Sequence, residues 1–243
     1  VEDSDLDQGL YTYYTVAPED GWLQIAVGPG HHDLALGPDT GETPVVLTLQ
    51  QGVAGYGGAS DTHLHSWTPN TAHGGEALLK LRAPGVTAGL IRFDLSSQIA
   101  PDKPVRAASL SLWVEAAPDG GAPLPLNVYR LLRPWSAAQA TWNLAASGQS
   151  WGQAGAAQPG VDREATALAS LTLSQKGLWQ TVNVTDLVQE WVAEPASNHG
   201  LLLQPTGSTA VEYGLASSDN WYFSRHPKLQ VVYFQNTPAP TAT

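Results

Sequence analysis

The chain has 243 residues, 42% hydrophobic and only 14% charged, with 24 Gly, 18 Pro, 9 Trp and 8 Tyr, which excludes disorder and coiled coil and leaves ample length for a β domain with a real core. Its net charge is −11, and the imbalance is local: residues 1–79 carry 11 carboxylates and no Lys or Arg, while residues 80–243 set the other 11 acids against all 11 bases. An acidic first third repels phosphate backbones and anionic lipid heads, so neither nucleic acid nor a membrane surface is expected as a partner.

Alternating apolar and polar residues recur along the chain in short runs bounded by Gly, Pro, Asn or Asp, the pattern of half-buried strands separated by turns. In order, strands are expected at 11–16 (YTYYTV), 22–27 (WLQIAV), 45–49 (VVLTL), 60–66, 77–82 and 89–95 (GLIRFDL). Leu110, Leu112 and Val114 then alternate with Ser109, Ser111, Trp113 and Glu115. Further runs lie at 126–132, 178–184, 200–204, 211–216 and 228–234 (KLQVVYF). One segment is helical in pattern, 185–192, where a capping side chain precedes apolar pairs four apart, Leu187 with Trp191 and Val188 with Val192. About a dozen strands and one short helix make an all-β protein, a jelly-roll-like antiparallel sandwich of two facing sheets.

Residues 1–44 form an N-terminal extension, set off by the Gly/Pro/Asp-rich run from Gly28 to Pro44 and too short for a core of its own. Residues 45–235 are the sandwich, and 236–243 read as a Thr/Pro-rich linker. No apolar stretch approaches the ~20 residues of a membrane span. The absence of Cys excludes disulfides, thiolate metal sites and thiol catalysis. Met is absent too, so Val1 reads as a residue exposed by removal of a leader, which fits secretion.

From about residue 48 to 234 an ordered set of motifs carries a family resemblance: Gly55-Tyr56-Gly57 with Ser60-Asp61-Thr62; Asn70 with Gly74; Arg92-Phe93-Asp94-Leu95-Ser96; Asn127-Val128-Tyr129-Arg130 followed by Pro134-Trp135; Ala140-Thr141-Trp142-Asn143; Asp186 to Trp191; Asn198 with Gly200-Leu201-Leu202-Leu203; and Pro227-Lys228-Leu229. This set resembles the DNRLRE-type β-sandwich domain, a family of secreted and cell-surface modules related to carbohydrate-binding modules. The hexamer that names that family is absent here, and residues 1–44 fall outside the resemblance. The resemblance implies an exported jelly-roll sandwich without catalytic machinery. Some relatives bind polysaccharide and others are architectural parts of surface proteins.

Several residue groups could carry function. Asp61, His63 and His65 alternate on one strand and share a face, a donor set suited to a divalent transition metal. Asp3, Asp5 and Asp7 alternate as in a calcium loop but lack the Gly and bidentate Glu of an EF-hand, and calcium is the cofactor to test. Gly148-Gln149-Ser150-Trp151-Gly152 matches the nucleophile-elbow string of esterases, which needs a strand-to-helix turn and a His partner. Among the Trp residues, Trp113 lies opposite a Leu face and is expected to be the most exposed, with Trp67, Trp179 and Trp221 next; exposed aromatic rings are platforms for sugar or protein. Trp135, Trp142, Trp151 and Trp191 read as packing anchors. The uncharged strand with Leu10, Tyr11, Tyr13, Tyr14 and Val16 seeks a sheet edge, its own or that of another copy. The expected function is therefore non-catalytic: a secreted or cell-surface module that self-assembles by strand addition into a layer or filament, or one that binds polysaccharide, with an esterase using Ser150 as a minor alternative.

Overall fold

The computed structural model describes residues 43–235; the strands expected at 11–16 and 22–27, and with them the Leu10–Val16 and Asp3/Asp5/Asp7 groups, lie outside the described residues. In chain order the strands are β1 (Thr43–Gln50), β2 (Ala59–His65), β3 (Leu78–Ala83), β4 (Thr87–Phe93), β5 (Val105–Ala116), β6 (Leu124–Arg130), β7 (Leu144–Ala146), β8 (Gln149–Ser150), β9 (Ala169–Leu173), β10 (Trp179–Asn183), β11 (Leu201–Pro205), β12 (Val211–Ala216) and β13 (Lys228–Gln235), with one helix, α1 (Thr185–Ala193). They form the antiparallel sandwich that the alternating pattern predicts. One sheet runs β1-β13-β5-β12-β3 with β10 also on β5, the other β2-β4-β11-β6-β9, and β7 and β8 make a separate hairpin. The strands missed in the sequence are β7, β8 and β9. Their Ala, Ser and Thr residues carry too little hydrophobic contrast to show a period.

β5 is the hub of the first sheet. β13 pairs with it from Val105 to Ser111, β12 at Val114 and Ala116, and β10 from Ser109 to Trp113. Its Leu110, Leu112 and Val114 are buried in the core between the sheets, where Leu81, Ile91, Leu126, Leu203, Tyr213 and Val231 meet them. The five-stranded sheet is covered on its other face as well. Ile91, Val128 and Leu201 point into the inter-sheet core, while their neighbours Leu90, Tyr129 and Leu202 join a second core with Leu64, Leu131, Trp135 and Trp151. The excursion between β6 and β9 supplies that second layer, which is why β4 and β11 are almost continuously apolar instead of alternating.

α1 contributes Leu187, Val188, Trp191 and Val192 to the inter-sheet core, as the four-residue pairs predict. Its start departs from expectation: no side chain caps it. The Thr185 hydroxyl instead accepts the Ala108 N–H at 2.9 Å, tying the helix to β5, and Asn183 Oδ1 accepts the Thr185 N–H at 2.9 Å. No helix among the described residues is long and apolar enough to cross a membrane.

Gly200, just before β11, is buried, has φ +81°, and a Cβ there would stand 2.2 Å from the Ile91 carbonyl oxygen. Both the backbone conformation and the contact forbid a side chain. Gly200→Ala is expected to destabilise the fold by about 2 kcal/mol or more, read as a lower midpoint in urea unfolding; an unchanged midpoint would contradict this packing.

Candidate functional site

Three groups of side chains stand out, and the strands fix each of them. The first is on the outer face of the six-stranded sheet, where register puts Trp179 beside Trp113. Trp113 is only half-exposed, which corrects the expectation that it would be the most exposed ring. The two indoles meet edge to face at 5.4 Å. Arg225 lies 5.6 Å over Trp113 and 4.3 Å over Tyr222, and the Lys228 ammonium lies 4.5 Å over Trp179. The Trp113 indole N–H donates to Glu115 at 2.9 Å, and Glu115 also accepts from Arg225 at 2.8 Å. Ring faces and polar tips there are taken by protein partners.

The second group is the loop joining β12 to β13, with Trp221 87% exposed and Tyr222 and Phe223 also exposed. Buried polar groups hold this loop. The Ser217 hydroxyl donates to the Glu76 carbonyl at 2.7 Å, Asn220 donates to the Ala77 carbonyl at 3.1 Å, and the Ser218 N–H donates to Asp61 Oδ2 at 2.7 Å. The His226 imidazole, buried, sits between the carbonyls of Gln51 at 2.9 Å and Asn220 at 2.7 Å. Trp67, in the turn after β2, is 66% exposed with Arg82 5.0 Å over its ring.

The third group starts from β2. Leu64 belongs to the outer core, so Asp61, His63 and His65 take the opposite side, as their alternation predicts, but the three do not converge on one point. Asp61 is drawn to the Ser218 N–H. His65 Nδ1 accepts the Trp67 N–H at 3.1 Å. His63 is fully buried, and neither of its ring nitrogens has a hydrogen-bond partner. The loop to β3 brings two partners that sequence reasoning missed: the His73 ring stacks on His63 at 4.4 Å, and Glu76 places a carboxylate oxygen 4.0 Å from His63 Nε2. One ligand atom from each of His63, His73 and Glu76 falls within a 4.8 Å group. The spacing, nine residues between the imidazoles and two more before the acid, was available in the sequence; what hid it was that the loop between them had no readable shape.

That loop is seated firmly. A Cβ on Gly74 would stand 2.1 Å from the Ala137 carbonyl oxygen, the Asn143 side-chain amide donates to Asn70 Oδ1 at 2.9 Å, and the Asn143 backbone N–H donates to the Pro69 carbonyl at 3.2 Å. Residues 61–231 match the model of the Disaggregatase related repeat domain. The chain belongs to this family. No curated relative matches it. The family match opens at Asp61 and closes at Val231, so it takes in the imidazole group and the aromatic loop but not β1. It is to this repeat-domain family, and not to the DNRLRE type by name.

The remaining predicted residues are placed plainly. Ser150 is exposed on β8, the second strand of a two-stranded hairpin whose turn is Gly148 at φ +72°, and no strand-to-helix elbow surrounds it. Trp135 and Trp151 are buried anchors whose indole N–H groups donate to the His199 and Thr141 carbonyls, Trp191 is buried on the core face of α1, and Trp142 is half-buried on Gly155.

Burial gives Asp61 and His63 opposite proton preferences. It pushes the Asp61 carboxyl up to about 6, and it pushes the His63 imidazole down to about 4, with His73 adding to the effect. Between pH 4 and 6 the folded chain therefore holds a proton on Asp61 that the unfolded chain has lost, a contribution to stability that fades as pH rises through 6. His63 works the other way: its contribution is intact above pH 6.5 and is lost as pH falls toward 4. Asp61→Asn leaves the His63 effect unopposed while still accepting the Ser218 N–H. In metal-free protein, the stability of this variant should fall more steeply than that of the parent from pH 6.5 to 4, measured by urea midpoints; parallel profiles would contradict the assignment.

Proposed function

We propose that this repeat domain is a non-catalytic, exported binding module of a cell-surface or secreted protein, and that the loop carrying Trp221, Tyr222 and Phe223 takes polysaccharide. The observation that carries this reading is a fully displayed aromatic ring on an immobilised loop. Arg82, Arg225 and Lys228 lie over Trp67, Trp113 and Trp179; among the described residues no cation lies over Trp221, which is also the most exposed. An exposed indole on a loop whose backbone is held offers an apolar face to a pyranose ring at a reduced ordering cost on binding. The neighbouring Tyr222 hydroxyl adds a donor and an acceptor suited to sugar hydroxyls. The DNRLRE resemblance, with its polysaccharide-binding relatives, supports the same reading and supports the extracellular location.

Trp221→Ala is expected to weaken retention on its polysaccharide about tenfold, read by affinity electrophoresis across a panel of soluble polysaccharides. Trp113→Ala should weaken it less. If Trp221→Ala migrated like the parent in every gel that retards the parent, or none retarded the parent, the reading would fail.

A second reading rests on β1. This strand is uncharged over its whole length, pairs on one side with β13, and shows Val46 61% exposed between half-buried Val45 and Leu47. Among the described residues nothing pairs with its other edge. Uncharged, apolar edges invite strand addition, and residues 10–16 of another copy would be the donor. Val46→Lys places a charge on that edge and should abolish any concentration-dependent self-association seen by sedimentation velocity. A parent that sediments as a monomer at all concentrations would remove this reading.

A further inference from the structure

The geometry points to a divalent transition-metal site, of the kind zinc occupies, formed by His63, His73 and Glu76. Two imidazoles and a carboxylate are a borderline-soft donor set suited to zinc and its neighbours and poor for calcium, which takes oxygen ligands. Their donor atoms already lie within 4.8 Å of one another. The decisive observation is His63. A fully buried imidazole with neither nitrogen bonded leaves a polar group desolvated without return, and a metal on Nε2 would supply the missing partner.

The surroundings fit. His73 Nδ1 and Glu76 are 2.7 Å apart, and the Lys80 ammonium is 2.9 Å from the other Glu76 oxygen. Without metal, then, a lysine and an imidazole N–H supply the positive side of the carboxylate's contacts, and Lys80 must swing away for a cation to enter. It is free to do so, being 41% exposed. The Thr68 hydroxyl lies 3.1 Å from His73 Nε2 and can orient the ring from its far side, as supporting hydrogen bonds do for metal-bound imidazoles. His65 is not a ligand in this arrangement. Its Nδ1 accepts a backbone N–H, so the proton of its neutral form sits on Nε2, the nitrogen that would have to ligate. Three protein ligands leave water as a fourth, reached past Glu76, which is 39% exposed. Because Glu76 and Ala77 also hold the Ser217–Asn220 loop through their carbonyls, the metal would staple β2 to the segment that displays Trp221.

The test uses the whole 243-residue chain stripped with a chelator. Zinc titrated against a chromophoric competitor should give one site per chain and a melting temperature that rises with zinc concentration. His73→Ala and Glu76→Gln, both at partly exposed positions where folding can be verified by circular dichroism, should each weaken zinc roughly tenfold or more. Lys80→Gln removes the competing cation and should tighten zinc roughly tenfold. The site is overturned by no zinc retention, by zinc affinity unchanged in His73→Ala and Glu76→Gln, or by calcium displacing zinc at equal concentration.

Discussion

The molecule depends on how it closes the gap between β2 and β3. These are edge strands of different sheets, and a sandwich that left both edges open would expose unpaired backbone and its own core. Elsewhere such gaps are filled with apolar side chains, as α1 does with Leu187, Val188, Trp191 and Val192. Here the chain inserts Asp61 and His63, both buried. Buried polar groups are tolerated only when partnered. Asp61 finds its partner in the backbone of a loop 157 residues away, and that contact, with those of Ser217, Asn220 and His226, holds the β12–β13 loop and its three exposed aromatics. His63 has no such partner, and the difference between the two neighbours marks the position as a place where stability has been traded for something else.

A chain of supports runs outward from that gap. The β2–β3 loop is held by the β6–β9 excursion through Asn143 and Ala137, and in turn holds the aromatic loop through the carbonyls of Glu76 and Ala77. The resemblance motifs Asn70 with Gly74 and Ala140 to Asn143 meet here in space: Gly74 is glycine because the Ala137 carbonyl occupies the place of its Cβ, and Asn70 and Asn143 are joined by a hydrogen bond. Three segments far apart in sequence thus behave as one rigid corner, and rigidity is what an exposed aromatic platform needs if binding is not to be offset by ordering.

Strand positions were legible because alternation is a local signal. β5 showed it most clearly, with Leu110, Leu112 and Val114 inside and Trp113 and Glu115 outside. What alternation could not say is what lies over an outward-facing residue. Trp113 faces outward as expected yet is half-covered, because Arg225 arrives from the β12–β13 loop and Trp179 from β10. Trp221 sits in a loop with no period at all, so although it was among the Trp residues expected to be exposed, nothing in the sequence ranked it above Trp113. The same limit applies to the imidazoles. The shared face of Asp61, His63 and His65 was readable, but whether they meet depends on Ser218, Trp67 and Glu76, residues brought in by tertiary structure.

Asp162 shows how the same residue chemistry can be spent on architecture alone. It is fully buried like His63, but its carboxylate accepts three backbone N–H groups, from Gly152 at 2.8 Å, Gln153 at 2.9 Å and Gln158 at 3.1 Å, and lies 3.5 Å from Arg133. Every acceptor position is answered, so the loop that covers the second core is knotted in place and nothing is left over for a ligand. His63 is the contrasting case in one molecule: equal burial, no answering group, and a second imidazole and a carboxylate within reach. Burial of a polar side chain therefore does not by itself mark function in this fold; burial without satisfaction, beside convergent ligand atoms, does.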